Sequence, residues 1–303
     1  MVTIIYSDHF LDHQTGATHP ECPERLTAIT QALKKTTWQP PLHWQEPSQR
    51  EVLPWVKKVH TQSYLQKLQA IAGQGGGYLD MDTPVSAASY EVALLAVAGW
   101  LDGVDRVLTA KESTFVLARP PGHHALSSTG MGFCLLSNAA IAAHYALAQP
   151  GIQRVGIVDW DVHHGNGTEA LVESNPQIAY CSLHQFPFYP GTGQASDRGQ
   201  SQNVLNIPIK AGSDLQTYQQ AFTTQVLPFF QAFDPQLILV SAGYDANGAD
   251  PLANMNLQPQ DFGQLTRSLL TLTPQLLLGL EGGYHLEALA QSVVETLKPL
   301  NQV

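Results

Sequence analysis

The sequence predicts an α/β protein whose parallel sheet is covered by helices on both faces. Short apolar runs, rich in leucine or β-branched residues, indicate buried strands; they are VTIIYS, STFVLA, RVGIVDW, IAYCSL, NVLNIPI, QLILVSAG and QLLLGLEGG. Most are separated by segments of helical periodicity, namely PERLTAITQALKK, SYEVALLAVAGWLDGVDRVL, NAAIAAHYALAQ, LQTYQQAFTTQVLPFFQAF and PQDFGQLTRSLLTL. Strands that are apolar on both faces and alternate with helices are typical of a parallel sheet between two helical layers.

The chain is expected to form one domain over residues 1–303. No Pro/Gly/Ser linker, charge block or internal repeat divides it. The one glycine run, GQGGGY at residues 73–78, lacks the spacing of a phosphate-binding loop. We therefore expect a flexible turn there.

Composition excludes several classes of protein. The chain is 44% hydrophobic and 13% charged, against about 25% charged in an average domain, which indicates a globular protein with a largely neutral polar surface. A net charge of −10 with only 15 Lys and Arg argues against nucleic-acid binding, which needs clustered cations.

Cysteine content and hydropathy predict a cytoplasmic protein. The three cysteines, Cys22, Cys134 and Cys181, are too few for a disulfide framework. The first residues, MVTIIYSDHF, indicate a strand and not a signal peptide. The longest apolar stretch, VALLAVAGWL, is about half the length that spans a bilayer, so no membrane association is expected.

Five polar clusters follow predicted strands, and we expect them to form one site. They are ARPPGHHA, DWDVHHGNGT, SLHQFPFYPGTG, SAGYDANGADP and EGGYH. In open parallel sheets, ligands bind outside the carboxyl ends of the strands, where these loops would meet.

The loop DWDVHHG and a second strand end together suggest a metal site. Alternate side chains of an extended strand face the same way, so Asp159, Asp161 and His163 can point to one side. Asp245 follows the strand QLILV at the equivalent position. Three mixed oxygen and nitrogen ligands with a free position describe a catalytic zinc site better than a structural one. Any one of these residues alone would more often cap a helix or fill a loop.

Two adjacent histidines and a tyrosine are candidates for acid–base chemistry. His123 and His124 follow the turn Pro120-Pro121-Gly122, and one imidazole could act as a general base toward a zinc-bound water. Asp159 and Asn166 lie in the metal-bearing loop and can orient the two rings. Tyr284, after two glycines, could donate a hydrogen bond to an oxyanion. Taken singly, exposed loop histidines and a packed tyrosine are the commoner outcomes.

With these motifs assembled, the chain resembles the zinc-dependent histone deacetylase family. The resemblance is to the branch that holds the second eukaryotic class, bacterial deacetylase-like amidohydrolases and acetylpolyamine amidohydrolases. It runs in the family's order through HPECPERL, PGHHA, GFCLLSNAAIAA, DWDVHHGNGT, SLHQFPFYPGTG, AGYDANGADPL and LEGGYH. It implies the arginase/deacetylase fold, a three-layer α/β/α architecture with a mainly parallel sheet of about eight strands.

The resemblance also implies roles for individual residues. Zinc would be bound by Asp161, His163 and Asp245. His124 would be the general base and acid, His123 its electrostatic partner, and Tyr284 the oxyanion donor. Asp159 would orient His123 and Asn166 would orient His124; the first eukaryotic class has Asp at the latter position.

Further implied sites are a structural cation and a substrate tunnel. Potassium would be held by Asp159, by the hydroxyl of Ser182 and by backbone oxygens of Asp161, His163 and Leu183, since hard oxygen ligands suit such a cation. The acyl-lysine tunnel would be lined by Gly132 and Phe133, with Tyr189 opposite, where Phe is common. Asp82 matches a rim carboxylate, and Arg25 matches an arginine near an internal acetate channel or else forms a salt bridge at a helix start.

The implied reaction is zinc-dependent hydrolysis of an N-acetyl amide with release of acetate. Polyamine-specific relatives tend to carry Glu seven residues after the last zinc Asp, where this chain has Leu252, so an acetyl-lysine peptide or protein is favoured. A small acetylated amine, in particular an acetylpolyamine, is the alternative substrate. A homo-oligomer is a further possibility that the sequence leaves open.

Two other classes of protein share these features. Arginase-like binuclear manganese hydrolases need further carboxylates in an Asp-x-His-x-Asp pattern, whereas His163 is followed by His164-Gly165. A non-enzymatic acetyl-lysine binder would be expected to have lost a metal ligand or the tyrosine. Every member of the set is present, which favours an enzyme.

Overall fold

The computed structural model describes residues 1–302 and contains an eight-stranded sheet in which all neighbouring strands are parallel. In spatial order the strands are β2 (His43–Gln45), β1 (Thr3–Ile5), β5 (Thr114–Val116), β10 (Leu277–Leu280), β9 (Leu237–Ala242), β6 (Val155–Asp159), β7 (Ile178–Gln185) and β8 (Val204–Ile209). A separate antiparallel pair is formed by β3 (Gly76–Tyr78) and β4 (Pro84–Ser86).

Ten α-helices in residues 1–302 accompany the sheet. They are α1 (Glu24–Lys35), α2 (Leu53–Val59), α3 (Gln62–Gly73), α4 (Ser89–Asp105), α5 (Asn138–Leu147), α6 (Asn166–Val172), α7 (Leu215–Ala221), α8 (Leu227–Phe233), α9 (Pro259–Leu269) and α10 (Leu286–Leu300). Within this range no helix combines the length and apolarity that crossing a bilayer requires. A parallel sheet with flanking helices confirms the predicted fold class.

The central strands are buried over their whole length. Every residue of β6, β7, β9 and β10 is buried, which is why these segments read as continuous apolar runs and not as alternating ones. Helix α4 packs directly against this layer, because a Cβ atom at Gly279 of β10 would overlap the indole of Trp100. Burial on both faces therefore fixes the sheet at the centre of the molecule.

All seven predicted strands are present, but the sequence interpretation was incomplete. The edge strand β2 is short and partly exposed, so it has no apolar run to reveal it. The prediction of a flexible turn at 73–78 was right only for Gln74 and Gly75, since Gly76–Tyr78 pairs with Pro84–Ser86 as β3. Backbone hydrogen bonds to a partner strand offset the low strand propensity of glycine there.

Strand register brings the polar loops to one edge of the sheet. Asp159, the last residue of β6, lies beside Ser182 of β7 and Ser241 of β9. On the other side of β9, Leu280 of β10 pairs with Ala242. Because β6, β9 and β10 end at nearly the same level, the loops that follow them converge, as predicted for the carboxyl edge of a parallel sheet.

Candidate active site

Asp161, His163 and Asp245 form a compact group at this edge. The Nδ1 atom of His163 lies 3.1 Å from Oδ2 of Asp245 and 3.2 Å from Oδ1 of Asp161. One ligand atom from each of the three residues lies within 4.8 Å of the others, and both carboxylates are fully buried. Two oxygen donors and one imidazole nitrogen at this spacing fit a zinc ion with an open position.

Two glycines make room for the carboxylates of this group. A Cβ atom at Gly243 would overlap the carboxylate of Asp161, and one at Gly282 would overlap that of Asp245. The backbone N–H of Gly282 donates to Oδ2 of Asp161 at 2.8 Å, and that of Val162 donates to Oδ1 of Asp245 at 2.9 Å. The backbone therefore holds both carboxylates in place independently of any ion.

The electrostatics of this group favour positive charge at its centre. Burial opposes charge on His163, but its hydrogen bonds to Asp161 and Asp245 raise its pKa to about 10. Burial and the neighbouring Asp161 raise the pKa of Asp245 to about 7. Burial acts in the same direction on Asp161, but His123 and His163 outweigh it and lower the pKa of that carboxyl.

His123 and His124 lie side by side with different partners. Their ring centroids are 4.0 Å apart, and both side chains are almost fully buried. Nδ1 of His123 is 3.1 Å from Oδ2 of Asp159, whereas Nδ1 of His124 is 2.7 Å from Oδ1 of Asn166. Each histidine thus contacts the residue that the family resemblance implied for it.

The surroundings of the two histidines shift their pKa values in opposite directions. Burial lowers the pKa of His123, but the carboxylates of Asp161 and Asp159 outweigh burial and raise it well above its ordinary value. Burial and the neighbouring His123 and His163 hold the pKa of His124 well below its ordinary value. His124 is therefore neutral near pH 7; its Nδ1–H donates to Asn166, which leaves Nε2 as a free base.

Glu281 supports the turn that presents this pair. Its Oε2 accepts the backbone N–H of Gly122 at 2.7 Å and that of His123 at 3.2 Å, while Oε1 accepts the hydroxyl of Ser241. His123, Cys134 and Glu281 are the other group in residues 1–302 with metal-ligand spacing. Because the carboxylate already accepts three hydrogen bonds, this group acts as a support for the histidine turn.

Tyr284 is fixed through its backbone and its ring, and its hydroxyl remains available. The carboxylate of Asp250 accepts its N–H at 2.6 Å, and the ring contacts Phe133 edge-on. The guanidinium of Arg25 lies 5.1 Å from the ring centroid. Among residues 1–302, no group forms a hydrogen bond with the hydroxyl, so it is free to donate to a ligand in the cavity.

A cavity of about 230 Å³ leads from the surface to His163 of the Asp161–His163–Asp245 group. Its volume is below the roughly 300–1,000 Å³ of most small-molecule pockets, which suits one slender chain. Aromatic side chains form much of the wall, and Asp82 and Leu252 lie among the residues that complete it. The full lining is Asp82, His124, Gly132, Phe133, His163, Phe188, Tyr189, Leu252 and Tyr284.

Comparison with known proteins places this arrangement in a family. The histone deacetylase domain model matches residues 19–300, nearly the whole chain. The chain belongs to the histone deacetylase family. The protein slr0245 of Synechocystis sp. is 64% identical over 99% of both chains. The crystal structure of the HDA15 HD domain superposes with a TM-score of 0.93 at 34% identity, covering 99% of this chain and 89% of the other.

The family includes relatives named for different substrates. The human polyamine deacetylase HDAC10 is 36% identical over 93% of this chain, which spans 45% of the length of that relative. Membership in this family of hydrolases supports an enzyme that acts on acetylated substrates. It does not distinguish acetyl-lysine from acetylpolyamine.

The residues that the family resemblance implied for a structural cation lie at the end of β6, in the loop after it and on β7. Ser182 and Leu183 lie on β7, with Ser182 beside Asp159 in the sheet. The hydroxyl of Ser182 is 2.9 Å from Nδ1 of His184. Asp159 accepts hydrogen bonds from Tyr180 and from the backbone of Asp161. These residues are close together, and their role in binding potassium stays a prediction.

Several site residues escaped the sequence interpretation. Phe188 stacks on His163 with centroids 5.5 Å apart, although only its neighbour Tyr189 was expected in the cavity wall. Asp250 accepts the N–H of both Tyr284 and Leu252. The adjacency of Phe188 to Tyr189 was a usable signal; for Asp250 no local pattern indicates a bond to a residue 34 positions away.

Arg25 forms the ion pair that the sequence suggested, whereas its place beside an acetate channel stays a prediction. Its Nη1 donates at 3.0 Å to Glu21, which lies just before the start of α1, as a helix-start ion pair would. Its other donors reach the backbone oxygens of Glu281 and Gly283, beside Tyr284. Arg119 also donates to Glu21, so one buried carboxylate links two buried guanidiniums behind the cavity.

Proposed function

We propose that this protein is a zinc-dependent deacylase that hydrolyses the side-chain amide of acetyl-lysine and releases acetate. One observation carries the proposal: His124, Tyr284 and His163 line one cavity, and His163 belongs to the Asp161–His163–Asp245 group. A nucleophile-activating base, an oxyanion donor and a metal-ligand set converge on one point, as amide hydrolysis requires.

Asp161, His163 and Asp245 would hold the zinc ion. When bound, zinc supplies a water of lowered pKa and polarises the amide carbonyl. The cluster suits this ion because its carboxylates are fixed by backbone N–H groups and its imidazole points inward. The residues 1–303 would act as one catalytic domain.

His124 is the proposed general base and then general acid. Its Nε2 takes a proton from the attacking water as the carbon–oxygen bond forms. The same nitrogen returns the proton to the amine as the carbon–nitrogen bond breaks, because an amine anion is a very poor leaving group. Its pKa, held low by burial and by His123, keeps the base unprotonated at neutral pH.

Tyr284 and His123 stabilise the negative charge that develops. The hydroxyl of Tyr284 donates to the oxyanion of the tetrahedral intermediate. His123, protonated through its contact with Asp159, contributes a fixed positive charge beside His124. Asp159 would serve a second role as a ligand of potassium, together with Ser182 and Leu183.

Leu252 favours acetyl-lysine over acetylpolyamine as the substrate. It lines the cavity with its backbone N–H tied to Asp250, at a position where a carboxylate would pair with a second ammonium group. An apolar side chain gives a cation no partner. The likeness to HDAC10 and the exposed carboxylate of Asp82 at the cavity keep acetylpolyamine as the second candidate.

The experiment is a comparison of kcat/KM for an acetyl-lysine peptide and for an N-acetylated polyamine with the zinc-loaded protein. A peptide preference of about tenfold or more supports the lysine assignment, since one ion pair at a partly buried site is worth at least that factor. Leu252→Glu should move the preference toward the polyamine, and Leu252→Met serves as the uncharged control. Turnover of neither substrate would contradict the proposed function itself.

The proposal also covers the cellular location and the oligomeric state of the protein. All three cysteines are unpaired, which is consistent with a reducing compartment, and we propose the cytoplasm. The partner would be an acetylated protein, peptide or small amine, with no role for nucleic acid or membrane. A homo-oligomer is compatible with this activity and would be tested by light scattering.

A further inference from the structure

We propose that Met131 is a positioning residue for the reaction: its thioether fixes the amide of Asn166 in the orientation that leaves Nε2 of His124 free to act as the base. The inference rests on the proposed function of His124. It concerns which end of the Asn166 amide, the carbonyl or the N–H group, faces His124. A carboxylate at that position has two equivalent oxygens, so the question arises only for asparagine.

Met131 is held by a tight turn at the cavity wall. Its carbonyl accepts the N–H of Cys134 at 2.9 Å, and the two intervening residues, Gly132 and Phe133, have φ of +54° and +68°. Gly132 lies so close to the imidazole of His124 that a Cβ atom would come within 2.5 Å of its Cδ2. The turn therefore fixes Met131 in relation to the same histidine that Asn166 contacts.

The amide of Asn166 joins these two residues. Its Oδ1 lies 2.7 Å from Nδ1 of His124, and its Nδ2 donates to Sδ of Met131 at 3.5 Å. A thioether sulfur accepts hydrogen bonds and cannot donate them. A hydrogen bond to Met131 therefore stabilises only the orientation in which the N–H group of the Asn166 amide faces the sulfur.

Rotation of the amide by 180° would reverse the chemistry of the base. The N–H group of Asn166 would then face Nδ1 of His124 and require a lone pair there. The neutral ring would carry its proton on Nε2, the atom that must accept a proton from water. The observed orientation is the one compatible with catalysis, and Met131 is the neighbour that stabilises it.

The first test is a mutant cycle between positions 131 and 166. Met131→Leu removes the acceptor at similar volume and should lower kcat about three- to tenfold with KM changed less than about twofold, the size of one lost neutral hydrogen bond. In the Asn166→Asp background both oxygens accept equally, so the same Leu substitution should change kcat by less than about twofold. Met131→Gln can accept through its carbonyl oxygen but can also donate through its amide N–H, so it should restore kcat only in part.

The second test reads the ring directly in the metal-free protein. Nitrogen-15 NMR of labelled histidine, with His124→Ala used to assign the signal, should show the proton on Nδ1 in the native chain and a shift toward Nε2 in Met131→Leu. This readout does not depend on turnover or on zinc. An unchanged thermal midpoint for Met131→Leu would separate positioning from loss of folding.

The outcomes distinguish this inference from the proposed function. The role of Met131 would be overturned if Met131→Leu lowered kcat equally in the native chain and in the Asn166→Asp background. It would also be overturned if Met131→Leu left the tautomer of His124 unchanged. Full activity of His124→Ala would instead overturn the proposed role of the base. If Met131→Leu fails to fold, Met131→Gln is measured instead. A partial shift of the His124 proton toward Nε2 there supports the proposal, because the glutamine amide can also donate, and a tautomer identical to that of the native chain contradicts it.

Discussion

The replacement Glu21→Gln should be strongly destabilising, because it removes one charge from between two buried cations. The carboxylate of Glu21 and the guanidiniums of Arg25 and Arg119 are all inaccessible to solvent. Arg119 donates to it through two nitrogens, and Arg25 donates to Oε1 at 3.0 Å. Glutamine keeps the size of the side chain but leaves two positive charges without a counter-ion.

Two routes give a similar magnitude for this effect. Burial alone would raise the pKa of Glu21, but Arg119 and Arg25 outweigh it and lower the pKa from 4.5 to about 2. That difference corresponds to a contribution of about 3 kcal/mol to the free energy of unfolding at neutral pH. Breaking a buried ion pair by removing one partner typically costs about 3–5 kcal/mol. We therefore expect a loss of about 3–5 kcal/mol.

The pH dependence of this effect has a definite sign. Because the pKa of Glu21 is lower in the folded protein, its contribution is fully present above about pH 4.5 and is lost as pH falls toward about 2. Glu21→Gln lacks this titration. The difference in unfolding free energy between the native chain and the variant should therefore narrow over that range.

The assay is urea unfolding followed by tryptophan fluorescence, with a surface ion pair as the control. Asp234 contacts Arg154 at 2.6 Å but is 80% exposed, and its φ of +52° is one that asparagine tolerates. Asp234→Asn should cost less than about 1 kcal/mol. If Glu21→Gln costs no more than this control, or if its effect is independent of pH, the reasoning is refuted.

Three further predictions concern the site. Tyr284→Phe should lower kcat about 10²–10³-fold with little change in KM, because it removes one oxyanion donor; steady-state kinetics on an acetyl-lysine peptide check this. Gly132→Ala should abolish most activity, since its φ of +54° disfavours alanine and the new Cβ would press on His124; kcat/KM at unchanged zinc content checks this. Removal of metal by a chelator should lower the thermal midpoint, and zinc at about 100-fold over its dissociation constant should restore about 2.7 kcal/mol; equal midpoints would contradict zinc binding by Asp161, His163 and Asp245.

Local patterns in the sequence account for the parts of the fold and site that were predicted. A buried parallel strand appears as a continuous apolar run, so β6 and β9 could be placed without other information. The residues that follow such strands must lie at one edge of the sheet, so the convergence of Asp161 and Asp245 could also be expected. The pairing of His124 with Asn166 depended further on resemblance to a family.

Contacts between residues far apart in the sequence decided the parts of the site that were not predicted. Glu21 meets Arg119 across 98 positions, and Arg25 meets Gly283 across 258, contacts that no periodicity of the chain encodes. The bond between Asn166 and Met131 likewise arises only when the start of α6 and the loop after β5 are brought together. The sequence by itself determined which segments are strands and which edge carries the chemistry, because both follow from local burial and chain direction. Only the tertiary structure decided the partner, and hence the charge and proton position, of each buried polar group, since a hydrogen bond forms between atoms that folding brings within about 3 Å.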